Sequence, residues 1–433
     1  MQIVNKSLTN SIWVAFIYIL GMIILYLANA LISNTYGSEG IGVYSISSRI
    51  LSLLTMIALA GTNITIVRNV SKLNLKLSFK SIRDFYDLAI KRVFFLSLIL
   101  SAIFYLFSTF LANDVFENKN YELSFKIIAL LIPLSAISDI NKDFLRGVRL
   151  FSLSEFLRNI IIPLTIIMTI LVSSKFSYYL LLIPVLGLAL GTVIISIFSY
   201  FFILTNYEKS QKDLDTKTKK NFFKTSFKIF QGQFIIIFSS QLTLYFLEIF
   251  STTNNVGFFH IHHKVASLCM LPLIISNVMM APKISQLFEN QKNKLHKALH
   301  TNANIIFTLS LIIGLLIISM SSTILNFFGG EFNQNKIILY IIILSQIFNV
   351  FCGPSTIFLQ MTGNEAILRR NLLIVLIFSI FSNYLLIINF DLLGASIALA
   401  TNVIFLNILN VIYVNRITGF QTFFNPMKEY NDK

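Results

Sequence analysis

Two basic residues, Arg49 and Lys264, lie inside long hydrophobic stretches of this chain. A cation in hydrocarbon costs roughly 3 kcal/mol on insertion scales and is kept where it faces a cavity, a partner or a polar ligand. These two occupy matching places. The stretch from Gly42 to Leu53 lines up without a gap on Gly257 to Leu268, an offset of 215, with about four of twelve positions identical. Tyr44/Phe259, Arg49/Lys264 and Ile50/Val265 are conservative pairs within it. A duplicated cation points to a site at the interface of two repeats. Arginine holds phosphate or pyrophosphate oxygens bidentately and lysine holds them as a point charge. The alternative is snorkelling of each cation toward the headgroups, which the duplication does not explain.

Other chemistry-bearing residues are sparse. His260, His262 and His263 precede Lys264, and His260 shares its helical face at a spacing of four. A titrating histidine there (His260 or His263) would couple transport to protons. Three histidines with no spaced carboxylate or cysteine make no metal motif, so no metal and no cofactor are expected. Glu248 and Asp139 stand near the ends of their hydrophobic segments, as ion-coupling groups, counter-ions or interface residues. Arg146 and Arg149 lie in a basic connection, Asp143 to Phe151, suited to anionic lipid or to first capture of an anionic headgroup. Amides such as Gln346, Asn349, Asn383, Asn402, Asn407 and Asn410 suit interhelical hydrogen bonds. Gly187 and Gly191 form a small-residue packing pattern, and Pro133, Pro163, Pro184, Pro272 and Pro354 are candidate kinks, with Gly353-Pro354 the best hinge.

The elements that must position these residues are membrane helices. Only 12% of the 433 residues are charged, 55% are hydrophobic, and Phe alone occurs 42 times. A soluble domain carries about twice that share of charge. Twelve segments are apolar and long enough to span: 11–33, 41–67, 92–112, 125–140, 157–174, 179–204, 228–250, 256–281, 302–325, 336–360, 371–390 and 394–415. The first is read as an uncleaved span. Lys and Arg fall on alternate connections, about 28 on the side of the termini and about 5 on the other. Both termini are therefore expected in the cytoplasm. The net charge of +15 is then topological, and no nucleic-acid partner is expected. The connection 206–227 divides the spans six and six, giving lobes 1–215 and 216–433 that enter the membrane from the same side. The expected fold is all-α, with about twelve transmembrane helices in two parallel six-helix repeats. Cys269 and Cys352 both lie in apolar segments, so no structural disulfide is expected.

The last third of the chain carries a family resemblance. Phe327-Phe328-Gly329-Gly330-Glu331-Phe332 resembles the external turn of polysaccharide exporters between spans nine and ten. Thr362-Gly363-Asn364 followed by Arg369-Arg370 resembles their next cytoplasmic turn. Asn383 to Ile387 and Leu393 to Thr401 resemble their N-x-x-L-I and G-x-x-G-A-x-I-A-T signature. Together with the Gly42 and Arg68 neighbourhoods, these motifs make the chain similar over nearly its whole length to the polysaccharide flippases. These are the O-antigen, capsule and exopolysaccharide transporters of the multidrug/oligosaccharidyl-lipid/polysaccharide exporter superfamily.

That resemblance implies two six-helix lobes forming a V-shaped cleft open alternately to each side of a bacterial cytoplasmic membrane. It implies an undecaprenyl-pyrophosphate-linked oligosaccharide as substrate, with a polysaccharide polymerase and chain-length machinery as further partners. In related flippases of lipid-linked peptidoglycan precursors, basic residues of the second and eighth spans line the cavity, which are the places of Arg49 and Lys264. This chain departs from that subfamily in having Lys at the second place and fewer than fourteen spans. Two other readings compete. A multidrug cation antiporter of the same superfamily typically carries an acid in the first span, and 11–33 has none. A membrane polymerase or ligase would need a sizeable external loop, and the external connections are short. Transport without enzymatic chemistry is the expectation.

Overall fold

The computed structural model describes residues 2–75, 79–175, 180–207 and 216–426. Among the described residues the chain is helical and falls into two compact units, one ending at Phe238 and one starting at Ser239. The first contains α1 (Gln2–Leu59), α2 (Thr62–Leu75), α3 (Phe79–Phe110), α4 (Asn120–Gly147), α5 (Phe151–Asn159), α6 (Ile161–Lys175) and α7 (Ile183–Asn206). The helix α8 (Thr216–Phe250) begins in the first unit and ends in the second. The second continues with α9 (Thr253–Ala266), α10 (Leu271–Asn290), α11 (Lys292–Ser319), α12 (Ser321–Phe328), α13 (Lys336–Phe351), α14 (Ser355–Met361) and α15 (Glu365–Thr418).

Among the described residues, ten helical segments are long and apolar enough to cross a membrane. Two of them are about double length: 44 residues in α1 and 54 in α15. At 1.5 Å per residue each is roughly 65 Å or more, twice a bilayer core. Both are broken near the middle by one residue with positive φ, Gly37 (67°) in α1 and Asp391 (52°) in α15. Three residues after each break stands a glycine, Gly40 and Gly394. A Cβ at Gly40 would collide with Tyr36, and one at Gly394 with the Leu386 carbonyl. Each helix is thus kinked at that residue, and a glycine permits the close local approach. Each arm is long enough to cross by itself.

The expected segments 11–33 through 394–415 all fall largely on helix. Some details differ. The connection 206–227 is not wholly a loop. Lys209, Lys212, Asp213 and Asp215 lie outside the described residues, but α8 starts at Thr216. Its charged first turns also carry Phe222 and Ser226, both buried; Ser226 Oγ donates to Thr65 Oγ1 at 3.0 Å. This amphipathic pattern lets charge and helix coexist. Nor do all the prolines kink a helix. Pro184 and Pro272 sit in the first turns of α7 and α10, where the missing N–H has no partner to lose. Pro163 follows the break at Ile160 between α5 and α6. Pro133 is inside the unbroken α4, whereas Gly353-Pro354 separates α13 from α14.

Packing follows membrane rules, where small residues let backbones approach. Gly187 and Gly191 of α7 lie against α6, and Thr165 Oγ1 donates to the Gly187 carbonyl at 2.8 Å. Several amides of the second unit make the expected bonds between helical segments, whereas Asn383 Nδ2 donates to Ser379 O of its own helix. Asn407 Nδ2 donates to Asn349 Oδ1 at 2.9 Å, Asn410 Nδ2 to Thr356 Oγ1 at 3.2 Å, and Ser382 Oγ to Asn402 Oδ1 at 3.1 Å.

One backbone motif recurs in both units. In the first, Val148 N–H donates to Phe144 O at 3.0 Å and Leu150 N–H to Leu145 O at 2.9 Å, with Arg149 at φ 69°. In the second, Thr362 N–H donates to Phe358 O at 3.1 Å and Asn364 N–H to Leu359 O at 3.0 Å, with Gly363 at φ 77°. Phe-Leu precedes both turns, and every partner is displaced by 214 positions. This left-handed helix ending, repeated at nearly the 215-residue offset of Arg49 and Lys264, supports a parallel internal repeat.

Candidate functional site

Arg49 lies in the second arm of α1, twelve residues beyond the Gly37 break. Lys264 lies in α9, eleven residues beyond its first residue, Thr253. Measured from those starts, both stand about 16 to 18 Å along their helices. That is deeper than the roughly 12 Å implied by spans starting at 41 and 256, because both helices begin earlier. Both side chains are half-buried, with Ser47 and Ile50 buried beside Arg49 and Val265 and Ala266 beside Lys264.

The three histidines before Lys264 divide by environment. His260 is buried, one turn from Lys264. His262 is fully buried, with Nδ1 2.6 Å from the Phe258 carbonyl, a contact that fixes its ring within its own helix. His263 is half-buried and stacks on Phe259, ring centroids 6.0 Å apart. Only His260 combines burial with the Lys264 face.

The two acids have local partners. Glu248 is buried near the end of α8 and accepts from Thr253 Oγ1 at 2.7 Å, bridging the turn into α9. Thr252 caps α9, its side chain accepting from Asn255 N–H at 3.3 Å. Asp139 pairs with Lys142 at 2.7 Å, one turn further along α4, which continues two turns past it. This is a counter-ion arrangement.

The basic connection is a network of paired charges. Arg146 reaches Glu155 at 2.5 Å, and Arg158 reaches Asp143 at 2.7 Å. Asn159 Nδ2 donates to Glu155 Oε2 at 2.9 Å. Arg149 is exposed at the left-handed position of the turn. The structure brings Arg146 together with Arg68, Asp143, Arg158 and Gln233 around a cavity of about 400 Å³ and leaves Arg149 out. Asp143, Arg158 and Gln233 did not emerge as a group from sequence. Opposite charges bracketing the turn, Asp143 and Glu155 against Arg146 and Arg158, were the available signal.

Comparison with known proteins adds the following. The family described as polysaccharide biosynthesis protein matches residues 7–288. No curated protein matches. Among solved structures, "Lipid II flippase MurJ, inward closed conformation" is similar with a TM-score of 0.72 at 15% identity, over 93% of this chain and 87% of that one. An inward-facing multidrug resistance MATE family transporter of the MOP superfamily also gives 0.72, at 13% identity, over 92% and 94%. The MATE multidrug transporter DinF-BH gives 0.61 at 16% identity, over 94% and 95%. At such identities the likeness concerns the fold. The match over 7–288, the all-helical membrane architecture and these structural relatives together place the chain in the polysaccharide biosynthesis protein family, on the fold of the MOP superfamily.

Proposed function

We propose that this protein is a flippase that moves an undecaprenyl-pyrophosphate-linked oligosaccharide from the cytoplasmic to the external leaflet of a bacterial cytoplasmic membrane. Family membership over residues 7–288 is the observation that carries this reading. The fold shared with a lipid II flippase supports it. Counting each arm of α1 and α15 as one crossing gives a twelve-span plan, with lobes 1–215 and 216–433 and both termini cytoplasmic. The recurring turn at 144–150 and 358–364 supports parallel repeats.

A pyrophosphate and sugars cannot cross hydrocarbon unaided, because burying charge without partners is prohibitive. In the proposed mechanism Arg49 and Lys264 face one hydrated cleft and hold the pyrophosphate while the polyprenyl tail stays in lipid. Rocking of one lobe against the other moves access from one leaflet to the other. Arg49 supplies a planar, permanently charged fork and Lys264 a compact charge on a flexible stem. His260, on the Lys264 face, is the place for proton coupling. Glu248 and Asp139, already engaged with Thr253 and Lys142, serve the helix ends first.

The test is transport by purified protein in proteoliposomes loaded with a labelled lipid-linked glycan. Movement of intact substrate between leaflets, with no glycosidic bond formed, is expected. Export of a cationic dye without glycan movement would replace this reading with the multidrug antiporter, and bond formation would replace it with a polymerase or ligase.

A further inference from the structure

We infer that the first unit holds a second phosphoryl-binding site, distinct from Arg49, in the cavity where Arg68, Arg146 and Arg158 converge. The cavity has a volume of about 400 Å³ and takes its lining from four helices: Asn63 and Arg68 from α2, Asp143 and Arg146 from α4, Arg158 from α5 and Gln233 from α8. A second cavity of about 270 Å³ also takes Arg68 into its lining, with Asn69, Asn221 and Thr225. Arg68 is thus common to both cavities.

The charge count at this place is unbalanced. Three guanidinium groups line the larger cavity against one carboxylate, Asp143. Asp143 is engaged by Arg158 at 2.7 Å, and Glu155, behind Arg146, is engaged by Arg146 and Asn159. Arg68 takes part in none of the ion pairs among the described residues. Arg158 Nε is buried and has no hydrogen-bond partner among the described residues. With Glu155 paired to Arg146, the excess is the one exposed guanidinium of Arg68 beside the buried, unmatched Arg158 Nε, a donor that an anion in the cavity would complete. A guanidinium offers five N–H donors in a planar fork, which matches the oxygens of a phosphate. Asn63 and Gln233 add neutral groups that hydrogen-bond phosphate or adjoining hydroxyls. The ligand class is thus a phosphoryl group, as a phosphodiester or a pyrophosphate. It comes from a membrane phospholipid headgroup or from a pyrophosphate-linked lipid.

The placement suits a waiting position. Arg146 and Arg158 flank the turn that follows α4, away from the mid-helix position of Arg49, so a headgroup bound here is held before or after it occupies the Arg49 region. The site stands on its own geometry and does not require the proposed transport reaction.

The experiment measures inorganic pyrophosphate binding to the full-length protein in nanodiscs of phosphatidylcholine. Arg68→Gln is the main variant, because Arg68 is exposed and supports no other side chain by an ion pair. Loss of one charge-assisted contact should weaken binding about tenfold, with Arg68→Lys recovering part of the loss. Arg146→Gln should weaken it similarly. Two binding components are expected, one lost in Arg49→Ala and the other, which Arg49→Ala retains, lost in Arg68→Gln. Replacing part of the phosphatidylcholine with phosphatidylglycerol separates the sources. Competition that Arg68→Gln abolishes assigns the site to phospholipid headgroups, and its absence assigns it to a pyrophosphate-bearing ligand. Unchanged binding in folded Arg68→Gln and Arg146→Gln proteins, or both components removed by Arg49→Ala alone, would overturn the site.

Discussion

The turn after Gly147 and the turn after Met361 share their hydrogen bonds and left-handed residue, yet their surroundings differ. In the first unit the turn follows an unbroken α4 and is surrounded by charge: Asp143, Arg146, Glu155 and Arg158. In the second unit the corresponding helix is broken at Cys352–Pro354, and the chain's last described segment fills the break. Phe424 N–H donates to Phe351 O at 2.8 Å and Thr422 Oγ1 to Cys352 O at 3.0 Å. These are carbonyls that a continuous helix would satisfy itself. Phe420 then packs against Phe288, Phe358 and His296, the last with ring centroids 4.0 Å apart. His300 Nε2 lies 2.6 Å from the Asn425 carbonyl. In the first unit the charges surround the turn itself; in the second, aromatic rings and the chain's last described segment fill the break upstream of a turn that stays exposed at Gly363. The two units share this turn and differ in what is added near it. The first unit is left able to meet a charged ligand at this end, while the corresponding end of the second is committed to holding the chain.

The largest effect should come from Gly353→Val. A Cβ at Gly353, where φ is 66°, would collide with the Thr422 carbonyl, so the tail must leave. Loss of roughly 3 kcal/mol is expected. Unfolding in mixed micelles would show it, and a change below about 1 kcal/mol would break the contrast between the filled break and the charged turn. Asp143→Asn attacks the other copy by leaving Arg158 without its carboxylate. About 2 kcal/mol of destabilisation is expected, less than for a fully buried pair because Arg158 is 32% exposed. The same measurement applies, and a stability unchanged from the parent would remove the network from the account. The smallest effects sharpen the shared turn itself. Gly363→Ala should cost about 1 kcal/mol from its positive φ alone, since nothing crowds the added methyl. Arg149→Gly should stabilise by up to about 1 kcal/mol, because Arg149 already holds a left-handed conformation that glycine adopts without strain. Effects of equal sign at the two positions would show that the turns are not equivalent.

Much of this was legible in the sequence, because membrane spans are read from hydropathy and length alone. Every expected segment is largely helical, and the paired turns recur at 214 positions, one short of the offset linking Arg49 to Lys264. What was not legible depends on contacts distant along the chain. The tail is recognised only through the carbonyls exposed at Cys352–Pro354. The start of α8 was hidden because Lys219, Lys220 and Lys224 read as loop, although Phe222 among them and Ser226 just after them are buried. The basic cavity joins Arg68 to residues 75 to 165 positions later in the sequence, and no local pattern announces it. Spacing already set His260 apart on the Lys264 face, and packing adds that His262 is tied to Phe258.

The central claim is that the duplicated cations hold the substrate's pyrophosphate during transport. Its most direct test is the initial rate of labelled lipid-linked glycan flipping by Arg49→Ala and Lys264→Ala proteins reconstituted at equal density. The account predicts that each substitution lowers the rate at least about tenfold, as expected for loss of a charge-assisted phosphate contact. It also predicts that Lys264→Arg retains activity. Flipping at the parent rate by either alanine protein would contradict it.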